Sequence, residues 1–183
     1  MTGVQTCALP ISWNEVKEAA VELFPLPAAK DKALPAISDL VKAKGDAGRG
    51  TQVFVKTAEC AKCHVVRGEG KEVGPNLSEI GSKLSRQALF ESILYPSAGI
   101  SHSYETYVLT TVDGNAATGI LVSETPEAVT LKSADALART YKRAEIDSFV
   151  KQNISLMPAD IQKTMTTQDL IDVVEYLASL RKN

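Results

Sequence analysis

Two cysteines and a histidine stand close together in the segment Cys60-Ala61-Lys62-Cys63-His64. The two thiols are three residues apart and fall on one side of a helical turn, where each can form a thioether with a vinyl group of haem. The imidazole of the following residue, His64, can then bind the iron. This CxxCH pattern predicts one covalently attached c-type haem, with Cys60 and Cys63 as anchors and His64 as an axial ligand.

Two other kinds of site also use a CxxC pair. A structural zinc site needs about four Cys or His ligands, and outside the motif the chain has only Cys7 and His102. A thioredoxin-like dithiol lies between a strand and a helix in a βαβ unit, and the flanking sequence lacks that pattern. Both remain alternatives, and the motif favours haem.

The ligand on the second face of the iron separates electron carriers from gas binders and peroxidases. Met157 precedes Pro158 and lies outside any helical pattern, so its thioether can project from a fixed loop. We predict that Met157 is this second ligand and that its sulfur raises the reduction potential. The alternatives are His102, Met165 and an open sixth position.

A carbonyl acceptor behind His64 would fix the orientation of its ring. Pro75 is a candidate, because its carbonyl could accept the Nδ1 hydrogen of His64 and leave Nε2 directed at iron. A simple role in a turn is the alternative for this proline.

The composition is that of a soluble globular protein, with 44% hydrophobic and 23% charged residues among 183. The formal net charge is -2 and the basic residues are dispersed, so we expect no nucleic-acid partner. No apolar run approaches the roughly 20 residues of a membrane span, so we expect no transmembrane segment in this fragment.

The chain divides into three parts by its patterns. Residues 1–11 resemble the translation of sequencing-adapter DNA, so we expect them to be foreign and the natural protein to begin upstream. Residues 12–45 read as a helical linker or the end of an upstream domain, with a boundary at Lys44-Gly45-Asp46. Residues 46–183 read as one domain.

Helical and strand patterns alternate within residues 46–183. Helices are predicted from Asp46 through Phe54, from Ser85 to Pro96 and from about Thr167. The stretch from Tyr104 to Val112 is rich in Thr, Tyr and Val, and Asp113-Gly114 after it signals a hairpin. We therefore predict a mainly α domain with a small antiparallel, barrel-like β insert at 102–150.

The order of the motifs is similar to that of a known family. With CAKCH, then GPNL, then Met-Pro ahead of a C-terminal helix, the chain resembles a class I cytochrome c. The wider pattern resembles the planctomycete-type haem-binding domain, which occurs at the C-terminus of large predicted membrane-associated dehydrogenases. The residues that carry this resemblance are KGDAGRG, CAKCH, VGPNL, ILYPSAGI, TVDGNAATGILVSET, VTL, SLMPAD and DLIDVVEYLASL, within about 44–181.

The resemblance assigns roles to individual residues. It implies that Cys60 and Cys63 are the thioether anchors, that His64 is the proximal ligand and that Met157 is the distal one. Gly74 and Pro75 match the loop behind the proximal histidine. It also implies that an N-terminal helix crosses the C-terminal one, with Gly50 and Phe54 positioned to meet Tyr176 and Leu177.

The resemblance implies an electron-transfer module and not an enzyme. The module would relay electrons from a fused dehydrogenase or a redox partner protein, in the periplasm or another extracytoplasmic compartment. The main alternative is a haem-based gas or redox sensor in which Met157 is displaceable. A peroxidase is a weaker alternative, because His102 would be its only acid/base group. An adaptor domain with a zinc half-site or a dithiol would be a purely structural alternative.

Overall fold

The computed structural model describes Val16 and residues 27–182, so the foreign-looking segment at 1–11 and Cys7 lie outside the described residues. The helices are α1 (Ile37–Leu40), α2 (Ala47–Gln52), α3 (Ile80–Lys83), α4 (Arg86–Leu94) and α5 (Thr167–Ser179), with a π-helical turn at Val53–Thr57 and 3-10 turns at Cys60–Lys62, Arg143–Glu145 and Ile161–Thr164. The strands are β1 (Val65–Val66), β2 (Glu69–Gly70), β3 (Thr106–Thr111), β4 (Ala116–Glu124), β5 (Ala128–Lys132), β6 (Ala138–Lys142) and β7 (Ile146–Lys151).

The prediction of a mainly α fold was wrong. Helices make up 33% and strands 24% of the structure, and five strands form one antiparallel sheet. Several of the helices are short, and α1 and α3 have four residues each. The β-branched residues of the insert, in contrast, extend β4 to nine residues.

The helices α2 and α5 cross at a glycine. Asp46 caps α2 by accepting a hydrogen bond from the Arg49 amide, 2.9 Å away. A Cβ on Gly50 would lie 2.1 Å from the Asp172 carbonyl, so only glycine permits this approach to α5. One turn later, the Phe54 and Tyr176 rings meet edge to face with centroids 5.6 Å apart. The predicted contact of Gly50 and Phe54 with Tyr176 is therefore present.

A buried carboxylate reinforces this crossing. Asp172 is 1% exposed, and its Oδ1 accepts from the Asp46 amide and from Gln168 Nε2, each at 2.8 Å. Its Oδ2 lies 3.1 Å from Arg49 Nε. The beginning of α2 is thus held to the middle of α5 by polar as well as apolar contacts.

The sheet has strand order β6-β5-β4-β3-β7, and every neighbouring pair is antiparallel. Leu109, Val129 and Leu131 form its own small core. Tyr107 and Phe149 stack beside that core with centroids 4.8 Å apart. In the part of the chain that the structure describes, β6 and β7 do not pair with each other, so the sheet is open where a barrel-like insert was expected.

Residues 27–45 pack against the helical core. Ala29, Leu34 and Leu40 are buried in the same apolar cluster as Phe54 and α5. Asp31 Oδ1 accepts hydrogen bonds from the Thr167 amide at 2.9 Å and from its hydroxyl at 3.2 Å. The domain boundary at Lys44–Asp46 stays a prediction.

The described helices include none that combines the length and the hydropathy of a membrane span. The longest of them, α5, has 13 residues.

Candidate functional site

The CxxCH segment forms one tight turn between α2 and β1. The π-helical turn at Val53–Thr57 leads into Glu59, whose φ of 52° turns the chain into the motif. The amides of Cys63 and His64 both donate to the Cys60 carbonyl, at 3.0 and 2.9 Å. The predicted helical turn is therefore a 3-10 turn, which runs from Cys60 to its C-cap Cys63 and leads directly into His64.

A two-stranded hairpin folds the chain back over the motif. β1 and β2 are joined by Arg67-Gly68, whose φ angles of 51° and 88° give a turn with positive φ at both central positions. Gly70 follows with φ of 110°, and a Cβ there would lie 2.2 Å from the His64 carbonyl. Only glycine lets the returning strand pass so close to the motif.

Backbone hydrogen bonds then fix residues 71–74 to the CxxCH turn. The Lys71 amide donates to the Ala61 carbonyl at 2.9 Å. The amides of Val73 and Gly74 both donate to the Cys63 carbonyl, at 3.0 and 2.7 Å. Two segments ten residues apart in sequence thus form one rigid unit.

The His64 ring is oriented by the Pro75 carbonyl, which lies 2.8 Å from Nδ1. A carbonyl can only accept, so Nδ1 carries the hydrogen and, in the neutral ring, Nε2 keeps a free lone pair. Burial lowers the pKa of His64, while the bond to Pro75 acts in the opposite direction. The lowered pKa favours the neutral imidazole, which is the form that binds a metal.

Gly74 lies directly against this ring. A Cβ at Gly74 would be 2.6 Å from Cε1 of His64 and 3.2 Å from Nε2. Any side chain at this position would displace the imidazole. Gly74 and Pro75 therefore act together, one by giving the ring space and the other by fixing its rotation.

Both motif cysteines are free and partly buried. Burial raises the pKa of Cys60 to about 11. Burial also raises the pKa of Cys63, although the nearby charges of Lys71 and Lys62 counteract it. In the protein without haem, both side chains are therefore thiols at neutral pH, and thiols are what add to vinyl groups.

Met157 is held in the loop between β7 and the 3-10 turn Ile161–Thr164. It is half-buried and packs against the main apolar core, as does Cys60. Its amide donates to Ser155 Oγ at 3.1 Å, and the Ser155 amide donates to Ser97 Oγ at 3.0 Å. These bonds tie the loop to the turn that follows α4, so Met157 lies in an anchored segment.

The other two ligand candidates lie in different surroundings. Met165 is 1% exposed and belongs to the apolar core, as a packing methionine does. The His102 side chain is 96% exposed and lies 3.6 Å from a carboxylate oxygen of Glu105. It lines an open cavity of about 460 Å³ at the end of the sheet, together with Glu105 and Lys151.

Sequence reasoning missed two residues that shape the site. Gly70 is needed for the approach to the His64 carbonyl, and its only sequence signal is the spacing of three glycines at 68, 70 and 74. Lys132, in β5, donates from Nζ to the Glu72 carbonyl at 2.8 Å. No sequence signal marks that contact, because it joins residues 60 positions apart.

These residues fit a covalently attached haem. The donor set consists of two thiols and a neutral imidazole with a free nitrogen, and Gly74 keeps the space beside that imidazole clear of side-chain atoms. Among the residues that the structure describes, no group of three or more His, Cys, Asp and Glu side chains is placed to hold a metal ion.

Comparison with known proteins gives one family. Residues 47–118 match the family model for cytochrome c. The matched segment contains the CxxCH motif, Gly74 and Pro75, and it ends before Met157. No curated protein matches the chain.

Proposed function

We propose that this chain is an electron-transfer module with one covalently bound c-type haem, because residues 47–118 match the cytochrome c family model and contain the CxxCH motif. The haem is attached through Cys60 and Cys63, and its iron is held by His64 on one face and Met157 on the other. The module relays electrons from a dehydrogenase, fused or separate, to an external acceptor. It works in the periplasm or another extracytoplasmic compartment.

The observation that carries this proposal is the state of the His64 ring. Its Nδ1 donates to the Pro75 carbonyl at 2.8 Å, and Gly74, which has no Cβ, lies against the ring without displacing it. The ring is thereby held in one tautomer and one rotation, as a metal-binding histidine requires. When bound, haem supplies one-electron oxidation and reduction at its iron, and a thioether ligand raises its potential.

Two features of Met157 support it as the second ligand. It packs against the same core as Cys60, and its loop is anchored to Ser97 at the end of α4. Met165 belongs to the same core but is 1% exposed, whereas Met157 is only partly buried and lies in a loop. A methionine in an anchored loop keeps the iron six-coordinate and suits an electron carrier better than a gas binder.

Carbon monoxide tests this role. The reduced wild-type protein should bind carbon monoxide poorly, because Met157 occupies the sixth position. The variant Met157→Ala should bind it readily and show a lower reduction potential, because the thioether is lost. Met165→Leu is the control and should behave as wild type. Ready binding of carbon monoxide by the wild type would favour the sensor alternative.

A further inference from the structure

One side chain of the sheet forms a hydrogen bond to the segment that holds His64. Lys132, the last residue of β5, donates from Nζ to the Glu72 carbonyl at 2.8 Å. Glu72 lies in the segment 71–75, which we call the proximal loop. This loop ends with Gly74 and Pro75, the two residues that touch the His64 ring.

The other hydrogen bonds of the proximal loop come from the CxxCH turn itself. Lys71, Val73 and Gly74 donate to carbonyls of the turn, and Pro75 accepts from His64. The Glu72 carbonyl receives its donor from the sheet. Lys132 therefore holds the loop at Glu72, which lies in sequence between Lys71 and Val73, two of the residues that anchor the loop to the motif.

The sheet holds Lys132 firmly enough to act as an anchor. Its backbone is registered between Ile120 of β4 and Ala138 of β6. A Cβ on Gly119 would lie 2.6 Å from the Lys132 carbonyl, so this glycine permits the close approach of the two strands. Leu131 is buried in the sheet's own core, and alternation along β5 therefore directs Lys132 to the opposite face.

We propose that Lys132 is a positioning residue through which the sheet fixes the proximal loop and, with it, the orientation of His64. This inference rests on the proposed role of His64 as an iron ligand. The lysine ammonium also places a positive charge beside the loop, and a positive charge opposes oxidation of nearby iron. Lys132 thus acts in two ways, by holding the Pro75 carbonyl in place and by raising the reduction potential.

Amide hydrogen exchange in the haem-loaded protein tests the first action. In Lys132→Met, the Val73 and Gly74 amides should exchange about fivefold faster, the factor expected for loss of one ordinary hydrogen bond. Lys132→Arg should restore the protection. Lys142→Met is the matched control, because Lys142 lies on β6 with an exposed side chain and makes only a surface ion pair.

In the same experiment, the amides of α5 report unfolding of the whole domain and the amides of β3 report unfolding of the sheet. Equal exchange at Gly74 in Lys132→Met and Lys142→Met would overturn the proposal. Faster exchange at Gly74 that is matched at Val174 would also overturn it, since the whole domain would then be destabilised. This readout needs no ligation by Met157, so it is independent of the distal part of the proposed function.

The reduction potential tests the second action. It should fall further in Lys132→Met than in Lys142→Met, because each variant removes one positive charge but only Lys132 touches the proximal loop. Equal potentials in the two variants would overturn the effect of the Lys132 charge on the reduction potential. If the matured protein carried no haem, the proposed function would fail, and the exchange experiment on the haem-free chain would still decide whether Lys132 holds the loop.

Discussion

At the His64 ring, one hydrogen bond decides which nitrogen keeps a free lone pair. Pro75 can only accept, so the hydrogen resides on Nδ1 and the free lone pair on Nε2. Burial lowers the pKa of His64 and favours the neutral form. The residue next to the acceptor, Gly74, is the one that could most easily disturb this arrangement.

Substitution of Gly74 should therefore perturb the haem iron. In Gly74→Ala, the new Cβ would lie 2.6 Å from His64 Cε1, so the ring must shift or rotate. We expect a loss of about 1 to 3 kcal/mol in unfolding free energy, typical of an overpacked site, and an altered electron paramagnetic resonance spectrum of the ferric haem.

Gly99→Ala is the matched control for this variant. No heavy atom lies within 4 Å of a Cβ built on Gly99, so the stability and the spectrum should stay those of the wild type. A Gly74→Ala protein that is spectroscopically identical to Gly99→Ala would contradict the role of Gly74 beside the ring.

The residues of the site were predictable to different degrees. Their spacing predicts Cys60, Cys63 and His64 as site residues. The hydrogen bond between His64 and the Pro75 carbonyl, predicted as one of two roles for this proline, is present. Gly70 and Lys132 were not predictable. Their roles depend on a hairpin that returns to the motif and on a contact between distant segments, and neither leaves a local pattern in the sequence.

At the scale of elements, the segment before α2 is attached to α5 by a carboxylate. Asp31 accepts from the Thr167 amide and hydroxyl at the beginning of α5. The backbone hydrogen bond from Thr167 is the main cause that lowers the pKa of Asp31 from its ordinary value of 3.8. The anionic carboxylate is thus the form that makes this contact.

This contact should be lost in acid. Because the folded pKa is depressed, the stabilisation is complete well above pH 3.8 and disappears as the pH falls through the lower folded value. The Thr167 amide resonance should therefore titrate with a midpoint below 3.8 in nuclear magnetic resonance spectra. In Asp31→Asn this titration should vanish, whereas a wild-type midpoint at or above 3.8 would refute the contact.

The predicted helix boundaries agree best with the structure where a capping side chain marks the beginning of the helix. Asp46 and Ser85 accept from backbone amides at the beginning of α2 and α4, as their sequence positions predict. The last helix begins at Thr167, with Thr166 and Asp169 forming a capping box. The π-helical turn after α2 and the hairpin after His64 were missed, because neither has a strong periodic signal.

At the scale of the molecule, the sheet changes the fold class. The predicted insert at 102–150 agrees closely with the observed strands, which run from Thr106 to Lys151. Treating them as a small insert underestimated their share of the structure. The open edge strands and the small core around Leu109 follow from the register, which single-sequence patterns do not specify. The match to cytochrome c covers residues 47–118 and therefore reaches into this sheet.

The sheet and the helical core meet where the proximal loop is held. The bond from Lys132 to the Glu72 carbonyl couples the two parts at a point close to His64. On the other side of the sheet, the chain leaves β7 and enters the loop that carries Met157. The same sheet therefore borders the segments that carry both proposed iron ligands.

The most direct test of the account is the nuclear magnetic resonance spectrum of the reduced protein with labelled methionine methyl groups. The chain has three methionines, at positions 1, 157 and 165. One methyl signal should be strongly shifted by the haem ring, and it should disappear in Met157→Ala and persist in Met165→Leu. A spectrum without a shifted methyl signal, or one that survives in Met157→Ala, would contradict iron held between His64 and Met157.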